Sequence, residues 1–336
     1  MRTAHGPIAT PALLPALWSR SSSGLLADEL REVGTQAVQI SSYTMLIRPD
    51  LLAVVRTLGG VHRFAGWSGP ILSDAGLFPT ELAERARIVR SDEEGLTLTS
   101  YIDGSRHRLT PEGSVQIQEA LGADIMLVLD DPRVSGERRT GDWTRRSVAA
   151  RTTPGLLFGR VRSTEAAAEV SQLALDGAVL DRELLERSPG LPLPEHWPRH
   201  ARDVGDPLEL LAGVRAGLDL FDSAASWRLA RHGSAYTAHG PLRVVSLDPV
   251  DNGPIEIDCQ CLACAGGYTR GYLRHLVAAN ELLAYTLLGA HNLFFVHDLL
   301  RKAREATADR SLVAFVDAYR NAYATSGSTP HSAGGQ

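Results

Sequence analysis

Short apolar runs alternate with amphipathic helical stretches along this chain, and this alternation limits the folds open to it. Apolar runs bounded by turn residues are typical of buried strands. They occur at AVQISSY (37–43), GPILSDAG (69–76), ADIMLVLDD (123–131), GLLFGRV (155–161) and GAVLD (177–181). Repeated strand–helix–strand units favour a parallel sheet with helices outside it. Because at least six such units fit into 336 residues without a clear linker, the sequence predicts an α/β fold of the (β/α)8 TIM-barrel type.

The segments between these runs carry the start and stop signals of helices. Residues 25–34 and 114–122 end on glycine, whereas residues 164–177 and 206–222 begin at a capping Thr and a capping Asp. An open, doubly wound sheet is the alternative architecture. No G-x-G-x-x-G motif follows an early strand, which argues against a dinucleotide-binding version of that sheet.

Composition limits the cellular compartment expected for this chain and the kinds of partner that it is expected to bind. The chain has no apolar run of about 18 residues, so no transmembrane helix is expected, and its N-terminus lacks the pattern of a secretory signal. Since its thiols are clustered rather than dispersed, we expect the protein in the reducing cytoplasm. The formal net charge of −5 argues against a generic binder of polyanions, although a nucleic-acid site needs only a local basic patch.

The cysteines form one cluster. All three lie within six residues and precede a long helical stretch with three histidines: Cys259, Cys261, Cys264, then His275, His291 and His297. Three thiolates and one imidazole make a closed tetrahedral set for zinc, and four protein ligands leave no position for water, so such an ion is structural. The odd number of cysteines disfavours a disulfide, and an iron–sulfur cluster, the alternative, more usually has a fourth cysteine.

The spacing of this cluster resembles the zinc site of tRNA-guanine transglycosylases, the queuine tRNA-ribosyltransferase family. A C-x-C-x2-C pattern is followed 27 residues later by His291, and the surrounding YTRGYLRHL and ANELLAYTLLGAHNLFF are similar to the zinc helix of that family. The resemblance implies that His291 is the fourth zinc ligand and that His275 and His297 are not ligands.

The resemblance runs through most of the chain, as for a divergent family member. Matching segments include GPIATPALLPA, SSYTMLIRPD, LGGVHRFAGWSGPILSDAGLF, YIDGSRHRLTPEGSVQIQEALGADIMLVLDD and GVRAGLDLFDSAASWRLARHG. The family resemblance implies a barrel over residues 1–324, including a zinc subdomain at about 251–300, and assembly as a homodimer or with a paralogue. The small, polar segment 325–336 is predicted to be a disordered tail.

Three aspartates follow predicted strands, where a barrel places its site. Exchanging a base on ribose with retention of configuration needs a carboxylate nucleophile and a second group that acts as acid and base. By resemblance, Asp222 is the nucleophile, Asp74 the general acid/base and Asp130 the carboxylate that hydrogen-bonds the purine edge. Aspartates that cap helices or turns are the alternative interpretation.

The resemblance also implies substrate-binding roles for Gly76, Arg162, Arg228 and Arg231. The family's Asp-Ser-Gly-Gly-Phe-Gln motif has become DAGLF, its Phe-Gly-Ile-Gln-Gln-Gly loop has become FGRVRS, and its Gly-Gly-Leu-Ala-Val-Gly-Glu loop has become AVLDREL. Groups that bind the base in the family are therefore replaced in this sequence, whereas Asp74 and Asp222 are retained. These departures indicate a changed base, a changed acceptor or a decaying site.

Three functions are consistent with these features. The first is a zinc-containing ribosyltransferase that exchanges guanine for a free 7-deazaguanine-type base in tRNA. The second is the same exchange on DNA or on a small nucleoside. The third is a non-catalytic subunit that binds RNA or a catalytic paralogue. For the nucleic-acid contact, ERRTGDWTRR (137–146) is predicted to form a basic loop with an aromatic side chain.

Overall fold

The apolar runs form strands in the computed structural model, which describes residues 1–17, 24–75, 88–131, 137–188 and 190–326. The strands are β1 (Arg2–Thr3), β2 (Gly6–Pro7), β3 (Ala12–Pro15), β4 (Val38–Ser41), β5 (Ile71–Asp74), β6 (Ile88–Asp92), β7 (Gly95–Thr99), β8 (Arg106–Leu109), β9 (Ile125–Leu127), β10 (Leu156–Arg160), β11 (Gly177–Val179), β12 (Arg199–Ala201), β13 (Leu220–Ser223), β14 (Ser234–Ala235) and β15 (Leu242–Arg243). All five predicted strand segments therefore contain a strand.

Eight of these strands make one parallel sheet in the order β3-β13-β12-β11-β10-β9-β5-β4. A parallel bridge between Ala16 and Gln39 joins the two end strands of that order, so the sheet is nearly closed. An open doubly wound sheet lacks such a bridge. The predicted barrel is thus confirmed, and its strands are largely buried because helices cover the outside.

Helices alternate with the barrel strands. They are α1 (Ala27–Glu32), α2 (Ser42–Leu46), α3 (Pro49–Thr57), α4 (Val61–Ala65), α5 (Pro111–Ala120), α6 (Glu137–Ala150), α7 (Thr164–Val170), α8 (Arg182–Arg187), α9 (Pro207–Ala216), α10 (Ala225–Arg231), α11 (Leu262–Ala265), α12 (Arg270–Ala278), α13 (Leu282–Ala308) and α14 (Leu312–Ser326). None of the helices within the described ranges is both long enough and apolar enough to cross a bilayer.

The caps explain where two of these helices begin. Thr110 accepts a hydrogen bond from the Gly113 amide at the start of α5, and Ser163 accepts one from the Ala166 amide at the start of α7. Ser163, and not Thr164, is therefore the cap of α7. This helix also ends at Val170, seven residues before the predicted end at position 177.

The chain divides into two compact units. The barrel unit comprises Met1–Arg20, Gln36–Val204 and Ala216–Ala224, and it contains the eight-stranded sheet. The helical unit comprises Ser21–Thr35, Gly205–Arg215 and Ala225–Gln336. Its buried core includes alanine and leucine side chains of α10, α12 and α13, packed beside the cysteine cluster. The last helix, α14, reaches Ser326, and the predicted tail beyond it lies outside the described residues.

Candidate active site and metal centre

Asp74 is the last residue of β5 and its side chain is fully buried. The neighbouring strand β4 and the residue after it supply three hydrogen-bond donors to it. Gln39 Nε2 donates to Oδ2 at 3.0 Å, the Ser41 hydroxyl donates to Oδ1 at 3.3 Å, and the Ser42 amide donates to Oδ1 at 3.2 Å. The parallel register sets Ser41 opposite Asp74, which brings these donors within reach. The carboxylate is therefore held in a defined orientation by three neutral donors.

Asp222 lies near the end of β13 and is 3% exposed. Its Oδ1 accepts a hydrogen bond of 2.8 Å from the Asp203 amide, while His200 Nε2 lies 3.2 Å from Oδ2, outside hydrogen-bond geometry. Arg202 Nε is 4.0 Å from the same oxygen. Burial raises the pKa of this carboxyl, but His200, Arg202 and the amide outweigh it, so the pKa of Asp222 lies below its ordinary value.

Asp130 follows β9 and is paired with arginine. Arg162 donates to Asp130 Oδ2 and to the Asp131 carbonyl, and Arg160 Nε lies 3.7 Å from the same carboxylate oxygen. Oδ1 accepts a long hydrogen bond of 3.5 Å from the Thr140 hydroxyl. One oxygen of the carboxylate predicted to bind a purine edge is thus engaged by a guanidinium of the same chain.

These three carboxylates share one end of the barrel, and we call them the carboxylate rim: Asp74, Asp130 and Asp222. Each stands at or just beyond the carboxyl end of a different parallel strand, and parallel strands present those ends on one face. In the sheet order, β3 and β4 separate the strands of Asp222 and Asp74. The rim has the carboxylates needed for a displacement at a sugar carbon.

The other predicted substrate-binding residues have different locations. Gly76 lies outside the described residues. Arg228 and Arg231 lie on α10 in the helical unit, the first half-buried and the second exposed. Trp227 between them is 2% exposed and belongs to the core rather than to a nucleic-acid surface.

The prediction of a basic loop at 137–146 is wrong, because this segment forms most of helix α6. Trp143 is buried and donates its indole N–H to the Glu93 carbonyl at 2.9 Å, so it has no face available for a base. Arg146 makes a bidentate pair with Glu112, at 2.6 and 2.8 Å. The described side chains of Trp143 and Arg146 therefore pack against neighbouring segments instead of offering a stacking face and a free charge to a nucleic acid.

The cysteine cluster closes around one histidine of the helical unit. His291 Nδ1 lies 3.7 Å from the sulfur of Cys259, 3.4 Å from that of Cys261 and 3.5 Å from that of Cys264. A zinc ion held tetrahedrally by three sulfurs and one nitrogen requires sulfur–nitrogen separations of about 3.6 Å, given its usual bond lengths. We call this group the metal centre, and its residues fit zinc.

Local structure orients the ligands of the metal centre. Cys261 is the N-cap of α11, and its sulfur accepts a 3.3 Å hydrogen bond from the Cys264 amide. His291 lies on α13 and donates from Nε2 to the Tyr236 carbonyl at 2.8 Å, which leaves Nδ1 to face the sulfurs. A second contact that fixes the tautomer is the usual arrangement for a histidine that binds metal.

The two remaining histidines of the predicted set lie outside the group that we call the metal centre. His275 is exposed on α12. His297 is buried on α13, where its Nε2 lies 3.0 Å from the Thr35 hydroxyl. Burial, followed by the charge of Arg304, lowers the pKa of His297 to about 4.

A second group of potential ligands, His5, His62 and Asp124, lies in the barrel unit. The two imidazole rings are stacked, with centroids 3.6 Å apart and planes 19° from parallel. Because an imidazole lone pair lies in the plane of its ring, nearly parallel rings cannot both point at one ion. Asp124 instead accepts bonds from His5 and from the Ile71 amide, so this group fastens the N-terminal segment to the start of the barrel strands.

Sequence patterns missed the residues that support the rim. Gln39 and Ser41 lie within a predicted strand but carry no motif, and His200 and Arg202 lie in the segment RHARD, which has no chemical signature of its own. No sequence signal identifies these four residues, since 39 and 41 lie inside a predicted strand and 199–202 was not predicted as a strand at all. Their roles depend on which strands are neighbours, and that order is not readable from spacing alone.

The chain is similar to known proteins over nearly its whole length. A family model described as "TGT: Queuine tRNA-ribosyltransferase" matches residues 1–325. Similar proteins carry the name queuine tRNA-ribosyltransferase. The one from Oleidesulfovibrio alaskensis is 33% identical over 354 aligned positions, covering 96% of this chain and 93% of the relative.

Two further relatives with the same name are similar over nearly as much of the chain. The protein from Syntrophobacter fumaroxidans is 36% identical, with 91% of this chain and 88% of the relative covered. The protein from Thermus thermophilus is 37% identical, with 90% and 85% covered. From the barrel, the metal centre and these full-length similarities, we conclude that the chain belongs to the queuine tRNA-ribosyltransferase family of pentosyltransferase enzymes.

Proposed function

We propose that this protein exchanges guanine for a 7-deazaguanine-type base in tRNA through a covalent intermediate on Asp222. The observation that carries the proposal is the pair of buried, hydrogen-bonded carboxylates, Asp74 and Asp222, at the carboxyl ends of strands in one barrel. The names of the relatives supply tRNA as the acceptor. The lowered pKa of Asp222 supports its role as the ionised group that attacks.

In the first half of the reaction, an Asp222 oxygen forms a bond to C1′ of the ribose. The bond between C1′ and the purine nitrogen breaks, its electron pair goes to the leaving base, and Asp74 gives that base a proton. In the second half, Asp74 takes a proton from the incoming base, whose nitrogen attacks C1′ and releases Asp222. Each half inverts configuration at C1′, so the exchange retains it.

The surroundings of Asp74 suit a group that alternates between acid and base. Complete burial disfavours a charged carboxyl, whereas donors from Gln39, Ser41 and the Ser42 amide favour it. The same donors hold the carboxyl group in place for proton transfer in either direction.

Zinc in this proposal is structural. Cys259, Cys261, Cys264 and His291 would hold it, and four protein ligands leave it no position for substrate. Its contribution is to fix α11 against α13 in the helical unit. Dimer formation and a paralogue as partner remain predictions of the family resemblance.

Incubation with labelled guanine tests the proposed function. Bulk tRNA should become labelled, and the label should be absent with Asp222→Asn, which keeps the shape of the side chain but not the nucleophile. Labelling of DNA and not of tRNA would replace this acceptor with the alternative one. No labelling of either, together with stable binding to a catalytic paralogue, would identify a non-catalytic subunit.

A non-catalytic or altered-base role has one specific observation in its favour. Arg162 engages Asp130, the carboxylate expected to recognise the purine edge. Such a pair must open, or must bind a different base, before recognition of guanine through both carboxylate oxygens can occur. The labelling experiment with guanine and with 7-deazaguanine bases in parallel separates these outcomes.

A further inference from the structure

Unpartnered polar atoms concentrate beside Asp222. Among the described residues, eleven buried side-chain nitrogen and oxygen atoms lack a hydrogen-bond partner, and four of them are His200 Nδ1, His200 Nε2, Arg202 Nε and Asp222 Oδ2. His200 is completely buried, so water does not solvate either ring nitrogen. Buried polar groups in native proteins are normally hydrogen-bonded, and exceptions at one place indicate function.

The neighbouring strands bring these groups together. His200 lies on β12 and Asp222 on β13, which pair in parallel with His200 opposite Leu220. The strand on the other side of Asp222 is β3, whose partner residues in the register, Leu14 and Pro15, carry no charge. Among the described contacts of Asp222 Oδ2, the charged or titratable neighbours are therefore His200 and Arg202.

The backbone next to this group is also unusual. Asp203 has a left-handed conformation with φ of 52°, which is costly for a residue other than glycine. In that conformation its amide donates to Asp222 Oδ1 at 2.8 Å. One oxygen of the carboxylate is thus fixed by a strained backbone amide, and the other faces an imidazole.

We propose that His200 is a positioning residue for Asp222, holding the Oδ2 side of the carboxylate from 3.2 Å while the Asp203 amide holds Oδ1. The proposal rests on the proposed function, in which Asp222 is the nucleophile. A small movement of the imidazole toward hydrogen-bond geometry completes the second contact, as catalytic hydrogen bonds often tighten when substrate binds. Arg202, at 4.0 Å, adds positive charge without a direct bond.

A purely structural role explains His200 less well. An apolar side chain of similar size would fill the same buried position without leaving two ring nitrogens unpartnered. The low pKa of Asp222 in spite of its burial agrees with an electrostatic contribution from His200. The imidazole is thus best explained by what it does to the neighbouring carboxylate.

The test compares His200→Leu, which removes the donor at similar volume, with His200→Gln, which retains a donor. Carbon-13 NMR of labelled aspartate follows the titration of Asp222, and the pH profile of kcat follows its effect on exchange. In His200→Leu the midpoint should rise by about 1 or more, and kcat should fall on the order of tenfold or more with the KM for tRNA unchanged. His200→Gln should recover most of both.

Controls separate this role from folding and from the proposed function. His297→Leu removes a buried histidine of the helical unit and should leave the Asp222 titration unchanged. If His200→Leu does not fold, His200→Asn withdraws the donor by shortening the side chain and should give the same rise. A folded His200 variant with an unmoved Asp222 midpoint overturns the proposal. A moved midpoint in a protein without exchange activity retains the His200 interaction and overturns the proposed function instead.

Discussion

The metal centre and the carboxylate rim are built in opposite ways. The metal centre draws three ligands from six consecutive residues, and the fourth comes from one helix that follows them. The rim draws each carboxylate from a different strand. The residues that donate to Asp74, and Arg162, which donates to Asp130, are 32 to 35 positions away in the sequence. The first arrangement is local in sequence, whereas the second exists only once the sheet has formed.

The two arrangements should respond differently to substitution. Replacing any one residue of the metal centre would remove one of the four ligands of a zinc ion, so we expect zinc binding to require all four. Each carboxylate of the rim has its own set of contacts, so we expect replacement of a neighbour of one carboxylate to leave the other two in place. By the family resemblance, the four residues of the metal centre match the family's pattern, whereas Arg160 and Arg162 stand where the family has a glutamine-containing loop.

Loss of zinc should have the largest effect, and it should affect the helical unit more than the barrel unit. Structural zinc contributes folding free energy on the order of 10 kcal/mol in small domains. Removing it with a chelator, or replacing Cys261 by Ser, should therefore abolish protection of α11 and α13 in hydrogen exchange, with less change in the barrel strands. His275→Ala, which alters an exposed histidine outside the centre, should bind zinc normally. A metal-free protein with an unchanged melting temperature would contradict the structural role.

Asp74→Asn should lower kcat by roughly 10²- to 10⁴-fold, since the amide cannot transfer the proton. Single-turnover guanine exchange measures this, and zinc content should stay at the wild-type value because the metal centre does not involve Asp74. Asp103→Asn, at an exposed carboxylate of the same unit, serves as the control. Activity of the Asp74 variant within about threefold of wild type would remove Asp74 from the reaction.

His297 should make the stability of the protein depend on pH. Its pKa of about 4 when folded lies below its ordinary value of 6.5, so the unfolded chain binds a proton that the folded chain excludes. The free energy of unfolding should fall by about 3 kcal/mol as the pH drops from 6.5 to 4. In His297→Gln this component should disappear. Denaturant titrations of both proteins over that range measure the difference, and parallel curves would rule the contribution out.

Arg162→Gln should have the smallest effect, about tenfold in the KM for guanine. Removing the guanidinium frees Asp130 Oδ2 to accept a donor from the base, so the KM should fall. Arg145→Gln breaks the exposed pair with Asp142 on α6 and should leave the KM unchanged. A higher KM in Arg162→Gln would instead make Arg162 a binding group for the base.

Five of the eight barrel strands were predictable because they lie in short apolar runs, and each of those runs contains a strand. Strand β12 carries an arginine and a histidine and gave no such signal. Helix α7 was predicted too long, since the residues after Val170 continue the apolar pattern but form a turn. Segment 137–146 was misinterpreted because the partners of its side chains, Glu93 and Glu112, are distant in sequence. The contact between His200 and Asp222 has the same origin in strand order, which spacing does not record.

The burial of Asp222 has a consequence for the fate of the intermediate. A glycosyl ester on a carboxylate that is 3% exposed would form where bulk water has little access. Competition at C1′ would then favour whichever nucleophile the barrel admits, and an incoming base would prevail over solvent. The burial of the Asp222 side chain thus favours exchange of the base over hydrolysis, which would leave an abasic site in the nucleic acid.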